Sequence, residues 1–93
     1  MTSEIKSFEG YLKEVSYLRD LAQMAAFLEE KGITSVEKVT KTSLNSYLLY
    51  LEKEGKAAST ISRELASIKS FFHYLYSQGR IFRDPSETLK APK

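Results

Sequence analysis

The segment from Lys56 to Gly79 constrains the fold more than any other part of this sequence. At about 100° per residue of an α-helix, five apolar side chains fall within one narrow arc: Ile61, Leu65, Ile68, Phe72 and Leu75. Five others lie opposite, and apart from one arginine they are small: Ser59, Arg63, Ala66, Ser67 and Ser70. A surface helix turns such an apolar arc towards the core of its domain. The pattern therefore predicts an amphipathic helix whose outer face is flat, hydroxylated and basic.

Three earlier segments also show apolar side chains at helical spacing. The first stripe consists of Ile5, Phe8, Leu12 and Val15, the second of Tyr17, Leu21, Met24 and Leu28, and the third of Leu44, Tyr47, Leu48 and Leu51. In one unbroken helix over residues 3–31, the first two stripes would face opposite directions. A small domain cannot bury both faces of one helix, so we expect a break near Glu14–Ser16, with Ser16 capping the second helix.

Capping residues and glycines mark the ends of these helices. Glycine is common just past a helix C-terminus, and it follows three of the stripes: Gly32, Gly55 and Gly79. Thr40 is a suitable cap for the third helix. The segment Ile33–Val39 is then a connector, and Ser86–Leu89, after the turn signal Asp84-Pro85, suffices for one helical turn. The sequence thus predicts an all-α fold, a compact bundle of four main helices plus a short C-terminal helical turn.

Composition excludes several classes of protein. The 93 residues accommodate one domain, and with no cysteine and one histidine the usual disulfides and zinc sites are excluded. No apolar run approaches the ~18 residues of a membrane span and no signal peptide is visible, so we expect a soluble, cytoplasmic protein. The net charge of +2 divides into −1 over residues 1–58 and +3 over residues 59–93. This asymmetry indicates either a basic face or an ordinary solvated surface.

The sequence shows no pattern typical of an enzyme. Its four glycines are isolated, so no phosphate-binding loop is present. His73 has no second histidine or cysteine with which to hold a metal. The carboxylate pairs Glu29/Glu30 and Glu52/Glu54 lie at helix ends among lysines, where a solvated surface is more typical than acid–base catalysis. We therefore predict no catalytic residue, no metal site and no cofactor.

Two polar helix faces favour a nucleic acid as the partner instead. The last helix offers Lys56, Ser59, Thr60, Arg63, Ser67 and Lys69, and the second helix offers Ser16, Arg19 and Gln23. In a major groove, hydroxyls and cations bind phosphates, and arginine pairs with guanine. Because the same residue types also cover ordinary solvent-facing surfaces, the spacing leaves a protein-interaction face open as an alternative.

The stripes combine with further residues in a fixed order along the chain: Thr40, Gly55, Ser59-Thr60, Arg63, Ser70-Phe71-Phe72, Gly79, Asp84-Pro85 and Pro92-Lys93. Over roughly Tyr17–Lys93 this combination resembles the core-binding domain of tyrosine recombinases, the N-terminal SAM-like domain of phage integrases. In that family the domain forms half of a C-shaped clamp around duplex DNA, with two helices facing the major groove. Matched by position, these correspond to the second and fourth helices.

The resemblance also implies a domain organisation and partners. Residues 1–89 correspond to the core-binding domain, and residues 90–93 to the start of a linker to a C-terminal catalytic domain that is absent. That other domain holds the catalytic residues of the family, so this fragment alone should cut nothing. The implied partners are duplex DNA and other recombinase protomers in a synaptic complex, with no membrane, and the fragment itself should be a monomer.

Three departures from the family pattern accompany the resemblance. Only four residues separate Leu12 from Tyr17, where the family has a longer loop, and Ala57 replaces a small polar cap of the fourth helix. Lys56 stands where an apolar residue is common in the family. The alternatives are a stand-alone DNA-binding adaptor and a small all-helical protein–protein interaction module.

Overall fold

The computed structural model describes residues 2–11 and 15–90 of the chain. Four α-helices make up most of it: α1 (Thr2–Tyr11), α2 (Val15–Glu30), α3 (Lys41–Lys53) and α4 (Ala58–Ser77). A short 3-10 helix, Val36–Lys38, lies in the connector between α2 and α3. The described residues contain no strand, which confirms the predicted all-α bundle of four main helices. No helix in these ranges is long and apolar enough to span a membrane.

The predicted apolar stripes form the core of the bundle. Twelve stripe residues are buried: Phe8, Leu21, Met24, Leu28, Leu44, Tyr47, Leu48, Leu51, Ile61, Ile68, Phe72 and Leu75. Ile5 and Leu65 are partly buried and pack against them. Leu12 and the side chains of Val15 and Tyr17 lie outside the part of the chain that the structure describes. Every stripe residue that can be compared is thus buried or partly buried.

Two separate helices replace one continuous helix over the first two stripes, as predicted, although Val15 of the first stripe is the first residue of α2. Helix α1 ends at Tyr11 and α2 begins at Val15, with residues 12–14 outside the described ranges. Ser16 is the second residue of α2, whereas an N-cap residue precedes the first helical residue. The prediction that Ser16 caps the second helix is therefore wrong.

Helix α3 is closed at both ends by local hydrogen bonds. The Ser43 N–H donates to Thr40 Oγ1 at 3.1 Å, and the Thr40 N–H donates to Ser43 Oγ at 2.9 Å, which confirms Thr40 as the cap. At the other end Gly55 has a φ of 77°, a left-handed conformation that favours glycine. The next N–H, that of Lys56, donates to the Leu51 carbonyl at 3.1 Å. This C-terminal motif turns the chain towards α4.

The buried face of α4 is wider than the predicted arc. Glu64, Ser67 and Phe71 are buried as well, with exposed fractions of 2%, 0% and 0%. Phe71 packs edge-on against Phe8 of α1, with 5.5 Å between the ring centroids. Ser67 is covered by α2, so the prediction that it lies on the outer face is wrong.

Beyond α4 the chain folds back onto the bundle. Ile81 and Leu89 are buried in the core. Between them, the Glu87 N–H donates to the Asp84 carbonyl and the Leu89 N–H donates to the Ser86 carbonyl, at 3.3 and 3.1 Å. The predicted C-terminal helical turn is thus present as hydrogen-bonded turns rather than as a regular helix.

Candidate nucleic-acid interface

Helices α2 and α4 pack against each other more extensively than any other pair of described helices. Asp20 of α2 is 3% exposed and accepts hydrogen bonds from two side chains of α4. Arg63 donates from Nε to Oδ2 and from Nη2 to Oδ1, each at 3.1 Å, and Ser67 Oγ donates to Oδ2 at 3.2 Å. We call this junction of Asp20, Arg63 and Ser67 the α2–α4 seam. It joins the two helices to which the sequence assigned DNA contacts.

Ser67 belongs to the seam, and its side chain is fully buried, so it cannot contact DNA. Its hydroxyl reaches both Asp20 Oδ2 and the Arg63 carbonyl, the latter at 3.0 Å. A buried carboxylate must be hydrogen-bonded, because its charge is costly to remove from water. Asp20 is therefore a structural residue that sequence reasoning missed, since periodicity reveals nothing about which polar groups meet across two helices.

Arg63 combines a fixed position with access to solvent. Its side chain is 49% exposed, although two of its five N–H groups are bound to Asp20. The hydrogen bond with Asp20 raises the pKa of Arg63, and the negative charge of the carboxylate acts in the same direction. The guanidinium therefore stays protonated and points three further N–H groups away from the carboxylate.

The other predicted DNA-binding residues differ in how far their side chains are exposed to solvent. Arg19, Gln23, Lys56 and Ser59 are exposed, whereas Thr60 and Lys69 are partly buried. Gln23 lies about one turn beyond Asp20, and Ser59 about one turn before Arg63, so both flank the seam. The side chain of Ser16 lies outside the described part of the structure.

Lys69 lies apart from Arg63 on α4. Six helical residues separate the two, which places them about 120° apart around the axis. Lys69 lines a surface cavity of about 420 Å³ together with His73, Asp84 and Glu87. The structure therefore does not place Lys69 beside the seam.

The N-terminus of α4 has no side-chain cap. Ala57 occupies the N-cap position, and its carbonyl accepts the first intrahelical bond from the Ile61 N–H at 3.0 Å. The first N–H groups of a helix have no partner within it, and together with the helix dipole they favour an anion. Lys56 and Ser59, both exposed, lie on either side of this end.

A second buried polar pair lies between α3 and α4. The Tyr47 hydroxyl donates to Glu64 Oε1 at 2.7 Å, and both residues are almost completely buried. Burial raises the pKa of Glu64, a shift that the hydrogen bond from Tyr47 partly opposes. Burial also raises the pKa of Tyr47, and the neighbouring carboxylate adds to this shift. This pair links α3 to α4 through a buried hydrogen bond.

Comparison with known proteins identifies relatives of this bundle. The family model described as phage integrase, N-terminal SAM-like domain matches residues 5–79. The tyrosine recombinase XerC of Herpetosiphon aurantiacus is 41% identical over an alignment that covers 100% of this chain and 33% of the relative. The tyrosine recombinase XerD of Listeria monocytogenes is 32% identical, with 84% of this chain and 27% of the relative covered.

A third relative extends the same pattern to another organism. The tyrosine recombinase XerC of Chlamydia caviae is 34% identical over 97% of this chain and 30% of its own length. The chain thus spans a third or less of the length of these relatives. No solved structure matches it. The family match covers residues 5–79, and the alignment with the Herpetosiphon aurantiacus relative covers the whole chain, so the chain belongs to the phage integrase family of tyrosine recombinases as an N-terminal SAM-like domain.

Proposed function

We infer that this chain grips duplex DNA at a recombination half-site, as one half of a clamp in a site-specific tyrosine recombinase. The observation that carries this proposal is Arg63, which Asp20 fixes at the α2–α4 seam while half of its side chain stays exposed. A pre-oriented guanidinium loses little conformational freedom when it binds. It can present two N–H groups in parallel to a phosphate or to a guanine edge.

The residues around Arg63 supply the remaining contacts of the proposed interface. Arg19 and Gln23 extend it along α2, and Lys56 and Ser59 extend it to the uncapped end of α4. Phosphate contacts from such cations, hydroxyls and backbone N–H groups provide most of the affinity and set the register on the duplex. Base contacts from Arg63 or Gln23 would add sequence preference.

The chemistry of the parent recombinase belongs to another part of that protein. The relatives are about three times as long as this chain, which is consistent with a core-binding domain over residues 1–89 and a linker starting at residues 90–93. In this proposal the parent performs DNA strand exchange in the cytoplasm, with several protomers assembled on DNA. We propose that the domain described by this chain contributes grip and orientation, and that the residues that break and rejoin DNA belong to the rest of the parent protein.

A salt titration tests the proposal. Binding of the chain to a fluorescently labelled duplex of mixed sequence is measured by anisotropy at several salt concentrations. If ~4 to 6 phosphates are neutralised, log K falls with log[salt] with a slope of about −3.6 to −5.4. Arg63→Ala should weaken binding more than Lys31→Ala, which removes a cation remote from the seam. A slope near zero, or equal effects of the two variants, would contradict the proposal.

A further inference from the structure

A groove between α2 and α3 has an aromatic floor. Its volume of about 440 Å³ is in the range of sites for small molecules, and Phe27, Tyr47 and Tyr50 line it. The Phe27 ring centroid lies 5.3 Å from that of Tyr47 and 5.0 Å from that of Tyr50. Tyr50 is 42% exposed, so the floor is open to solvent at this ring. Aromatic faces of this kind attract cations.

Two exposed carboxylates give the groove a negative charge. Glu30 is the last residue of α2, Glu54 is the C-cap residue of α3, and both line the groove. A hydrogen bond with Glu54 raises the pKa of Tyr50, and the charge of Glu30 acts in the same direction. Both carboxylates therefore act at one phenol. Lys56 is the only cation among the described residues that line the groove, which leaves it net negative.

The C-terminal ends of two helices also meet at this groove. Phe27 and Glu30 belong to the last turn of α2, and Tyr50 belongs to the last turn of α3. A helix C-terminus carries about half a negative charge, which favours cations and disfavours carboxylates. The last turn of α2 nevertheless ends in Glu29-Glu30 and contains no basic residue. A cation bound in the groove would offset this unfavourable charge.

These groups suit an organic cation better than a metal ion. Magnesium and calcium ions take about six or more oxygen ligands. The described residues contain no group of three or more His, Cys, Asp or Glu side chains that could hold a metal ion. The Lys31 ammonium lies 5.4 Å from the Phe27 ring centroid, so this ring already attracts an ammonium group of the chain itself.

We propose that the groove binds a linear organic diamine, with the methylene chain on Phe27 and Tyr50 and the ammonium groups at Glu30 and Glu54. Two carboxylates and two helix C-termini favour a ligand with two positive charges. The methylene chain between these charges gives the aromatic rings an apolar surface to cover. A lysine side chain of a partner protein would supply only one ammonium group.

The position of the groove connects such a ligand to DNA binding. Gln23 and Lys56 line the groove, and both also belong to the proposed DNA interface. A diamine bound here would lie at the border of the duplex and reduce the repulsion between Glu30, Glu54 and the phosphates. This consequence rests on the proposed function, whereas binding of the diamine to the DNA-free chain does not.

Amide NMR spectra of the isotope-labelled chain, recorded without DNA at low salt, test the site during titration with the diamine putrescine. We expect saturable shifts at Phe27, Tyr50 and Glu54 with a Kd of about 1 mM. Butylamine, which has the same carbon chain and one charge, should bind at least about tenfold more weakly, and magnesium chloride should not saturate these shifts. No saturation by putrescine up to ~10 mM would overturn the proposal. Equal affinity for butylamine would overturn the assignment to a diamine.

Two matched variants test which carboxylate binds the ligand. Glu54→Gln removes one charge from the groove and should weaken putrescine binding at least about tenfold. Glu52→Gln makes the same change at an exposed residue outside the groove and should leave the Kd unchanged. Both substitutions are at exposed positions, and the same spectra report whether each variant is folded. Equal Kd values for the two variants would show that putrescine binds elsewhere and would overturn the proposal.

Discussion

Asp20 and Arg63 lie 43 residues apart in sequence and are joined by two hydrogen bonds of 3.1 Å across the α2–α4 seam. The carboxylate is buried and the guanidinium half-exposed, so removing either partner has unequal consequences. Arg63 can turn to water when Asp20 is lost, whereas Asp20 without Arg63 remains a buried charge with Ser67 as its remaining side-chain donor at the seam.

Arg63→Ala should therefore destabilise the fold by about 1–3 kcal/mol, because it leaves a buried carboxylate short of hydrogen bonds. Asp20→Asn should cost less, since the amide keeps an acceptor for Arg63. The measurement is urea unfolding followed by circular dichroism. In the double variant the two effects should be non-additive by at least ~0.5 kcal/mol. Additive effects would mean that the pair is not energetically coupled.

Arg63→Lys separates charge from geometry in DNA binding. A lysine keeps the positive charge but loses the fork that binds Asp20 and a phosphate at the same time. We expect affinity for a duplex to fall by about tenfold, or 1.4 kcal/mol, with the salt slope changed by less than about 1. Anisotropy at two salt concentrations measures both quantities. Wild-type affinity in the lysine variant would show that the fixed orientation is unimportant.

A polar residue in place of Ala57 should stabilise α4, and a negatively charged one should also weaken the proposed DNA interface. Serine or aspartate at this N-cap position should raise the free energy of unfolding by about 1 kcal/mol, because each supplies the missing side-chain acceptor. Ala57→Asp should also weaken DNA binding, since it places a negative charge where a phosphate is proposed. Ala57→Ser is the uncharged control. Equal DNA affinity of both variants would place this helix end away from the duplex.

Ionisation of Glu64 should lower the free energy of unfolding as the pH rises, whereas most carboxyl groups in folded proteins have the opposite effect. Burial raises the pKa of its carboxyl in the folded state above the ordinary value of 4.5, so the folded state takes up a proton before the unfolded chain does. The ionised form thus lowers stability at neutral pH, and this cost disappears as the pH falls towards 4.5.

Glu64→Gln removes this titration and keeps an acceptor for the Tyr47 hydroxyl. We expect the variant to be at least as stable as wild type at pH 7, with the difference shrinking as the pH falls towards 4.5. Thermal unfolding of both proteins across this range gives the comparison, and titration of the other carboxyls cancels in the difference. A constant deficit of the variant at every pH would show that ionised Glu64 stabilises the fold.

The sequence predicted apolar positions well and polar positions poorly, for one physical reason. Leu21, Leu48 and Ile68 lie on the apolar stripes of their helices, and all three are buried. The spacing of apolar residues within one helix is enough to predict this burial. Ser67 and Glu64 are buried because Asp20 and Tyr47 meet them from other helices. Helical spacing within one segment contains no information on such encounters, so Ser67 was placed on the wrong face and Glu64 was overlooked.

The Tyr47–Glu64 and Asp20–Arg63 hydrogen bonds close loops of different length. Tyr47 and Glu64 are 17 residues apart, whereas Asp20 and Arg63 are 43 apart. The entropic cost of loop closure rises with length, by about 0.6 kcal/mol per doubling. We therefore expect the α3–α4 pair to form early in folding and α2 to dock late. A nascent or partly unfolded chain would then already possess α4 yet lack the orientation of Arg63 that Asp20 imposes.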